Sequence, residues 1–229
     1  MVYSSGTQTS YLVCLMLFVL NNINTVCNQF LTELRDADQQ QDRMRFRRNQ
    51  ERIGEILAYE VSKELKYKAV EVQTPLGTAQ VNIPAEHPVL GTILRAGLPL
   101  HQGFLNVFDQ SASTFITAHR KTKKTGEFTI QIEHISTADL EGKTFILCDT
   151  MLATGQSVVQ VCKELMGQYN LAALHIAAVI ASAEGVEHVR AHLPMAHLWI
   201  GAIDEEMTTK SYIVPGLGDA GDLAYGEKM

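Results

Sequence analysis

Thr144-Phe145-Ile146-Leu147-Cys148-Asp149-Thr150-Met151-Leu152-Ala153-Thr154-Gly155-Gln156-Ser157 is the stretch on which the reading of this chain turns. An apolar run ends in an acid, passes through small residues and enters a helical pattern. That order is a buried strand, a tight loop and a helix start. In an open α/β sheet, ligands bind at the carboxyl ends of the strands, where this loop falls. Ala153, Thr154 and Gly155 keep side chains small, so backbone N–H groups can approach phosphate oxygens. The helix beyond adds free amides and a favourable dipole. Thr154 and Ser157 offer hydroxyl donors, and Asp149 is suited to accept hydrogen bonds from ribose hydroxyls. The loop from Asp149 to Ser157 contains neither Gly-Lys-Ser/Thr nor the three-glycine dinucleotide fingerprint, and Gly142-Lys143-Thr144 just before it lacks the P-loop glycine five residues earlier, where Thr137 stands, so this is neither of those two phosphate sites.

Outward from this loop, apolar strand runs alternate with helical segments. Strands are predicted at 89–94, 114–119, 144–148, 174–181 and 197–200, and helices at 98–108, 157–169 and 185–191. This alternation implies an α/β fold, a mostly parallel sheet with helices on both faces. Two helices precede it, at 28–40 and 45–66, then short strands at 70–72 and 79–83 joined by Pro75-Leu76-Gly77. Residues 120–137 break the rhythm and read as a projecting hairpin or flap, with Lys121, Lys123, Lys124 and Gly126 near its tip. Without repeats or a low-complexity linker, residues 1–229 are read as one α/β domain with additions at both ends.

Hydrophobic residues make up 46% and charged residues 19% of the 229, which suits a folded globular protein rather than a disordered one. A net charge of −6 leaves no general basic footprint for nucleic acid. Cys14, Cys27, Cys148 and Cys162 lack zinc or redox spacing and sit among apolar residues, which points to reduced core thiols in a cytoplasmic protein. The apolar run Tyr11–Leu20 is shorter than the about 20 residues that a membrane helix needs, so no membrane partner is expected. It reads as a strand or helix docked on the domain, with an upstream extension or a membrane-seeking segment as alternatives.

Other segments carry candidate chemistry. Arg95, in Ile93-Leu94-Arg95-Ala96-Gly97-Leu98, closes a strand at the same binding edge, and Arg120 closes the next. Near the C-terminus stands Tyr212-Ile213-Val214-Pro215-Gly216-Leu217-Gly218-Asp219-Ala220-Gly221-Asp222. A rigid, glycine-rich turn of this kind opens backbone N–H and C=O groups to close approach. Arg43, Arg45, Arg47 and Arg48 cluster at a helix start, which suits solvent, an anionic effector or a subunit contact. His188 and His192 are spaced to share a helix face, but no third metal ligand accompanies them. Ser157 lacks a nucleophile-elbow context and Cys148 lies inside an apolar run, so neither reads as a nucleophile.

The loop from Asp149 to Ser157 closely resembles the phosphoribosyl pyrophosphate (PRPP) loop of type I phosphoribosyltransferases, in the form seen in the uracil phosphoribosyltransferase family. The segments at 93–98, Arg120 and 212–222 resemble the same family, and the resemblance spans roughly residues 28–226. It implies a type I phosphoribosyltransferase-like sheet with a C-terminal hood, and transfer of a phosphoribosyl group from PRPP to uracil. It further implies PRPP contacts from Arg95, Arg120, Asp149, Thr150, Met151, Leu152, Ala153, Thr154, Gly155, Gln156, Ser157 and Asp219. Uracil contacts are implied for Ile213, Gly218, Asp219 and Ala220. Asp149 and Asp219 are the implied catalytic pair, the first fixing the ribose and the second near the proton that uracil N1 must lose. Mg2+ is expected to arrive on PRPP rather than in a protein cage. A homodimer or larger oligomer is implied, and a purine-nucleotide effector is an open possibility.

Two residues depart from the family pattern. Thr150 follows Asp149 where most type I members have a second acid and uracil enzymes usually have Pro. Gln156 stands at a typical Gly, and a left-handed backbone there would cost roughly 1 kcal/mol or somewhat more. Two other readings therefore compete with the uracil enzyme: a transferase for another base, and a sensor of nucleotides or PRPP with little turnover.

Overall fold

The computed structural model describes residues 17–122 and 128–227. In chain order it contains β1 (Leu17–Val19), α1 (Cys27–Arg35), α2 (Arg43–Ser62), β2 (Tyr67–Thr74), β3 (Gly77–Pro84), β4 (Val89–Leu94) and α3 (Leu98–Val107). There follow β5 (Ser113–Thr122), β6 (Phe128–Ser136), β7 (Thr144–Leu152), α4 (Gln156–Met166), β8 (Ala173–Ser182) and α5 (Ala183–His192). The chain continues through β9 (His197–Asp204), β10 (Glu206–Met207), β11 (Ile213–Val214) and α6 (Ala220–Tyr225).

Seven strands form one sheet in the order β1-β9-β8-β7-β4-β5-β6. All neighbours are parallel except β5 and β6. The unbroken apolar strands match this burial: β8 is buried from Leu174 to Ser182, and Phe145 to Cys148 of β7 are fully enclosed. Leu31 and Leu34 of α1, Phe46, Ile53 and Leu57 of α2, Leu100 and Phe104 of α3, and Ala220 and Ala224 of α6 share one apolar core against the sheet. Val158, Val161 and Leu165 of α4 join Val186 and Val189 of α5 in a second core. Helices thus cover both faces, so parallel strands need no solvated side.

The N-terminal apolar run contributes an edge strand, with Leu17, Phe18 and Val19 paired to Leu198, Trp199 and Ile200. Its residues 11–16, like Cys14, lie outside the described set. The first predicted helix stops at Arg35 rather than running to 40. Asp36 ends it, because its Oδ1 accepts from the amides of Asp38 and Gln39 and offers the backbone a turn instead. Residues 128–136 extend the main sheet as its antiparallel edge, while β2 and β3 pair in a separate hairpin. Lys123, Lys124 and Gly126 of the expected hairpin tip lie outside the described residues.

Three of the four clustered arginines find partners within the chain, while Arg45 and Arg48 stay nearly half exposed. Arg45 pairs with Glu33 at 2.8 Å, Arg48 with Glu51 at 2.6 Å, and Arg47 donates to the Ala224 carbonyl. The Arg45 and Asn49 hydrogen bonds hold the Glu33 carboxyl down at about 2. Cys27, Cys148 and Cys162 are free and buried, and burial pushes the Cys162 thiol up to about 12. Among the described residues no helix is long and apolar enough to cross a membrane.

Candidate active site

The sheet order reverses between β4 and β7: β5 lies outward of one, β8 and β9 outward of the other. α3 leaves β4 on one face and α4 leaves β7 on the opposite face. The two chain turns diverge there and leave a crevice at the carboxyl ends of the strands. Arg95–Gly97 and Asp149–Gly155 border it.

The loop after β7 is shaped by Gly155, which caps α4 with φ 71°. A Cβ on Gly155 would stand 2.9 Å from the Gly185 carbonyl oxygen. A Cβ on Gly185 would stand 2.2 Å from that of Ala153, so the loop and the start of α5 pack backbone to backbone. Ser182 Oγ donates to the Ala153 carbonyl at 2.6 Å and accepts from the Gly185 amide at 2.8 Å. Gln156 is the first residue of α4, and the left-handed position falls on Gly155. The penalty expected at Gln156 therefore does not arise. Asp149 Oδ1 accepts from the Thr150 amide at 2.8 Å.

Thr150 is fully buried, and its hydroxyl lies 2.6 Å from the Ala96 carbonyl and 2.8 Å from Gln50 Oε1. Arg95 Nη2 reaches Asp222 Oδ1 at 3.1 Å and the Gly226 carbonyl at 3.2 Å. Gly97 is pressed onto β7: a Cβ there would lie 2.8 Å from the Cys148 carbonyl oxygen. Arg120 lies on β5 opposite Ile130, its side chain outside the described set.

The C-terminal segment folds over this crevice. β10 and β11 pair antiparallel, Gly216 and Gly218 take φ 59° and 88°, and Asp219 caps α6 by accepting from the amides of Gly221 and Asp222. Ile213 and Ala220 are buried, whereas Gly218 and Asp219 are exposed. A cleft of about 460 Å³ is lined by Met151, Ala153 and Ser157 from the β7–α4 loop and by Ile213 and Asp219 from the C-terminal segment. Thr150, Leu152, Gly155 and Ala220 are buried instead, which leaves their backbones as the groups that shape the site.

His119, Lys210 and Tyr212 also line the cleft, and the sequence carried no local signal for the first two. Gln50, Ser182 and Gly185 brace the loops from behind. Of these, Ser182 was accessible to sequence reading as a helix cap three residues before Gly185. The His188 and His192 rings meet at a tilt of 36° with centroids 4.2 Å apart, and among the described residues no group of three or more His, Cys, Asp or Glu is placed to hold a metal ion.

The family model described as uracil phosphoribosyltransferase matches residues 23–227. The chain belongs to the uracil phosphoribosyltransferase family. A member from Porphyromonas gingivalis, named uracil phosphoribosyltransferase, is 49% identical over 90% of this chain and 96% of its own length. One of the same name from Thermococcus gammatolerans is 33% identical, over 88% and 89%. A solved structure of a protein from Aquifex aeolicus superposes with a TM-score of 0.81 at 27% identity, covering 92% of this chain and 98% of that one. Within the uracil phosphoribosyltransferase family, Thr150 and Gln156 are accommodated by this fold, the first by buried hydrogen bonds and the second by its helical position.

Proposed function

We propose that this protein transfers the phosphoribosyl group of PRPP to uracil, giving UMP and pyrophosphate. One observation carries the reading: the phosphate-type loop Met151–Ser157 and the glycine-turn segment Ile213–Asp219 line the same cleft. A site for two substrates needs both.

In this reading, the free amides at the start of α4 and the hydroxyls of Thr154 and Ser157 hold phosphate oxygens of PRPP. Asp149 fixes the ribose hydroxyls so that the anomeric carbon faces uracil. The backbone around Ile213, Gly218 and Ala220 reads the acceptor–donor–acceptor edge of uracil, a role that suits the buried Ile213 and Ala220. Arg95 and Arg120 meet the pyrophosphate and stabilise the charge that builds on it. The C1′–oxygen bond to pyrophosphate breaks, the C1′–N1 bond forms, and the N1 proton leaves through Asp219 or a water beside it. The single carboxylates bordering the cleft suit a Mg2+ that arrives on PRPP, where it supplies positive charge to the pyrophosphate oxygens. The family further supports a cytoplasmic, oligomeric enzyme with no nucleic-acid partner. The sensor reading loses its motive, because neither Thr150 nor Gln156 distorts the loop.

The test is a product assay with purified protein, Mg2+ and PRPP, offering uracil, cytosine, orotate and hypoxanthine in parallel. UMP from uracil alone is the expected result. Nucleotide from another base, or PRPP binding without product, would overturn the assignment.

A further inference from the structure

The side chain of Thr150 does not line the cleft. Along β7, side chains alternate, so Thr150 falls on the face of Ile146 and Cys148, the face that α2 and α3 cover. Its hydroxyl is completely buried between two partners: the Ala96 carbonyl at 2.6 Å and the Gln50 side chain at 2.8 Å. Ala96 belongs to the turn after β4, directly beside Arg95. Gln50 lies on α2 and is itself fully buried. Thr150 thus joins the end of β7, the turn after β4 and helix α2 at one atom.

We propose that Thr150 is a positioning residue: its hydroxyl sets the turn Arg95–Gly97 against the loop Asp149–Gly155, and so places Arg95 for the pyrophosphate of PRPP. The proposal rests on the PRPP reading above. A hydroxyl carries one proton, which can be donated to the Ala96 carbonyl or to Gln50 Oε1, both within hydrogen-bond distance. Each arrangement keeps the hydroxyl bonded. Among the described residues neither Thr150 nor Gln50 hydrogen-bonds to the C-terminal segment that is proposed to read uracil. Removing the hydroxyl while keeping its volume leaves the Ala96 carbonyl and Gln50 Oε1 buried without this donor. The turn can then relax toward other donors, carrying Arg95 with it.

The test uses the full chain and the variants Thr150→Val and Thr150→Ser, with UMP formation measured at varied PRPP and varied uracil, and PRPP affinity measured separately by calorimetry. Thr150→Val is expected to raise the KM and Kd for PRPP about tenfold, the equivalent of one buried hydrogen bond. The KM for uracil stays unchanged, and Thr150→Ser restores PRPP binding. An unchanged PRPP KM and Kd in Thr150→Val, an equal rise in the uracil KM, or no restoration by Ser would overturn the proposal. If Thr150→Val does not fold by circular dichroism, Gln50→Met is read against the same criteria. Absence of UMP from the parent protein would count against the uracil-transferase reading alone, since the calorimetric contrast between Val and Ser still decides the role of Thr150.

Discussion

Arg35 and Asp204 form a bidentate ion pair, Nη1 to Oδ2 and Nη2 to Oδ1 both at 2.8 Å, and the same two side chains grip Gly216 from both sides. The Gly216 amide donates to Asp204 Oδ2 at 3.0 Å, and Arg35 Nη1 donates to the Gly216 carbonyl at 3.0 Å. Asp204 is only 7% exposed. Gly216 sits between Ile213 and Gly218, so α1 and the end of β9 set the height of the proposed uracil reader. Arg35→Met is expected to strand a buried carboxylate and cost about 3 kcal/mol or more of stability. It should also raise the KM for uracil more than that for PRPP; urea unfolding and steady-state kinetics measure the two effects.

Arg95 meets Asp222 at 3.1 Å, and both side chains are about one-third exposed. An exposed pair of this kind is worth at most about 1 kcal/mol, less than a guanidinium gains from a pyrophosphate. Arg95 can therefore exchange one anion for the other. Asp222→Asn is expected to lower the KM for PRPP by no more than about fivefold. Arg95→Gln should raise it by about tenfold to a hundredfold. A PRPP KM indifferent to both substitutions would remove Arg95 from the site.

Gly185 never lines the cleft, yet its α-carbon supports the loop that does. Gly185→Ala places a methyl 2.2 Å from the Ala153 carbonyl oxygen and 2.5 Å from that of Leu152, both backbone atoms that cannot swing aside. A loss of about 1–3 kcal/mol is expected, as for overpacking elsewhere, with PRPP use impaired at temperatures where the variant is still folded. Thermal melts with and without PRPP separate the two effects.

Burial pushes the imidazoles of His101 and His175 down to about 4, and His197 adds to the effect on His175. The His175 ring accepts from Trp199 Nε1 at 3.0 Å, which requires an unprotonated Nδ1. Both histidines are neutral in the folded state and bind protons more readily when unfolded. Their contribution is therefore complete above pH about 6.5 and is lost as pH falls from there toward about 4. At the low end each accounts for about 3 kcal/mol. The urea midpoint should fall between pH 7 and 5, before carboxylates begin to titrate, and His175→Phe should flatten that slope.

The alternation of β4, α3, β5, β7, α4, β8, α5 and β9 was legible in the sequence because strands buried on both faces must be continuously apolar. The loop at Ala153–Gly155 and the turn at Gly216–Gly218 were legible because small residues are the local requirement for close backbone approach and for the positive φ at Gly155, Gly216 and Gly218. These are properties of neighbours in the chain. What tertiary structure alone decided is where polar side chains spend their hydrogen bonds. Thr150 meets Gln50 from 100 residues away, and Arg35 meets Asp204 from 169. Local sequence does not reveal that Thr150 points inward or that Arg47 reaches the Ala224 carbonyl 177 residues away. It could not tell that Gln156 escapes the left-handed position, since that depends on which residue the helix start assigns to the cap. A buried polar atom must be matched by whatever the fold brings beside it, and that partner is set by packing across the sheet rather than by distance along the chain.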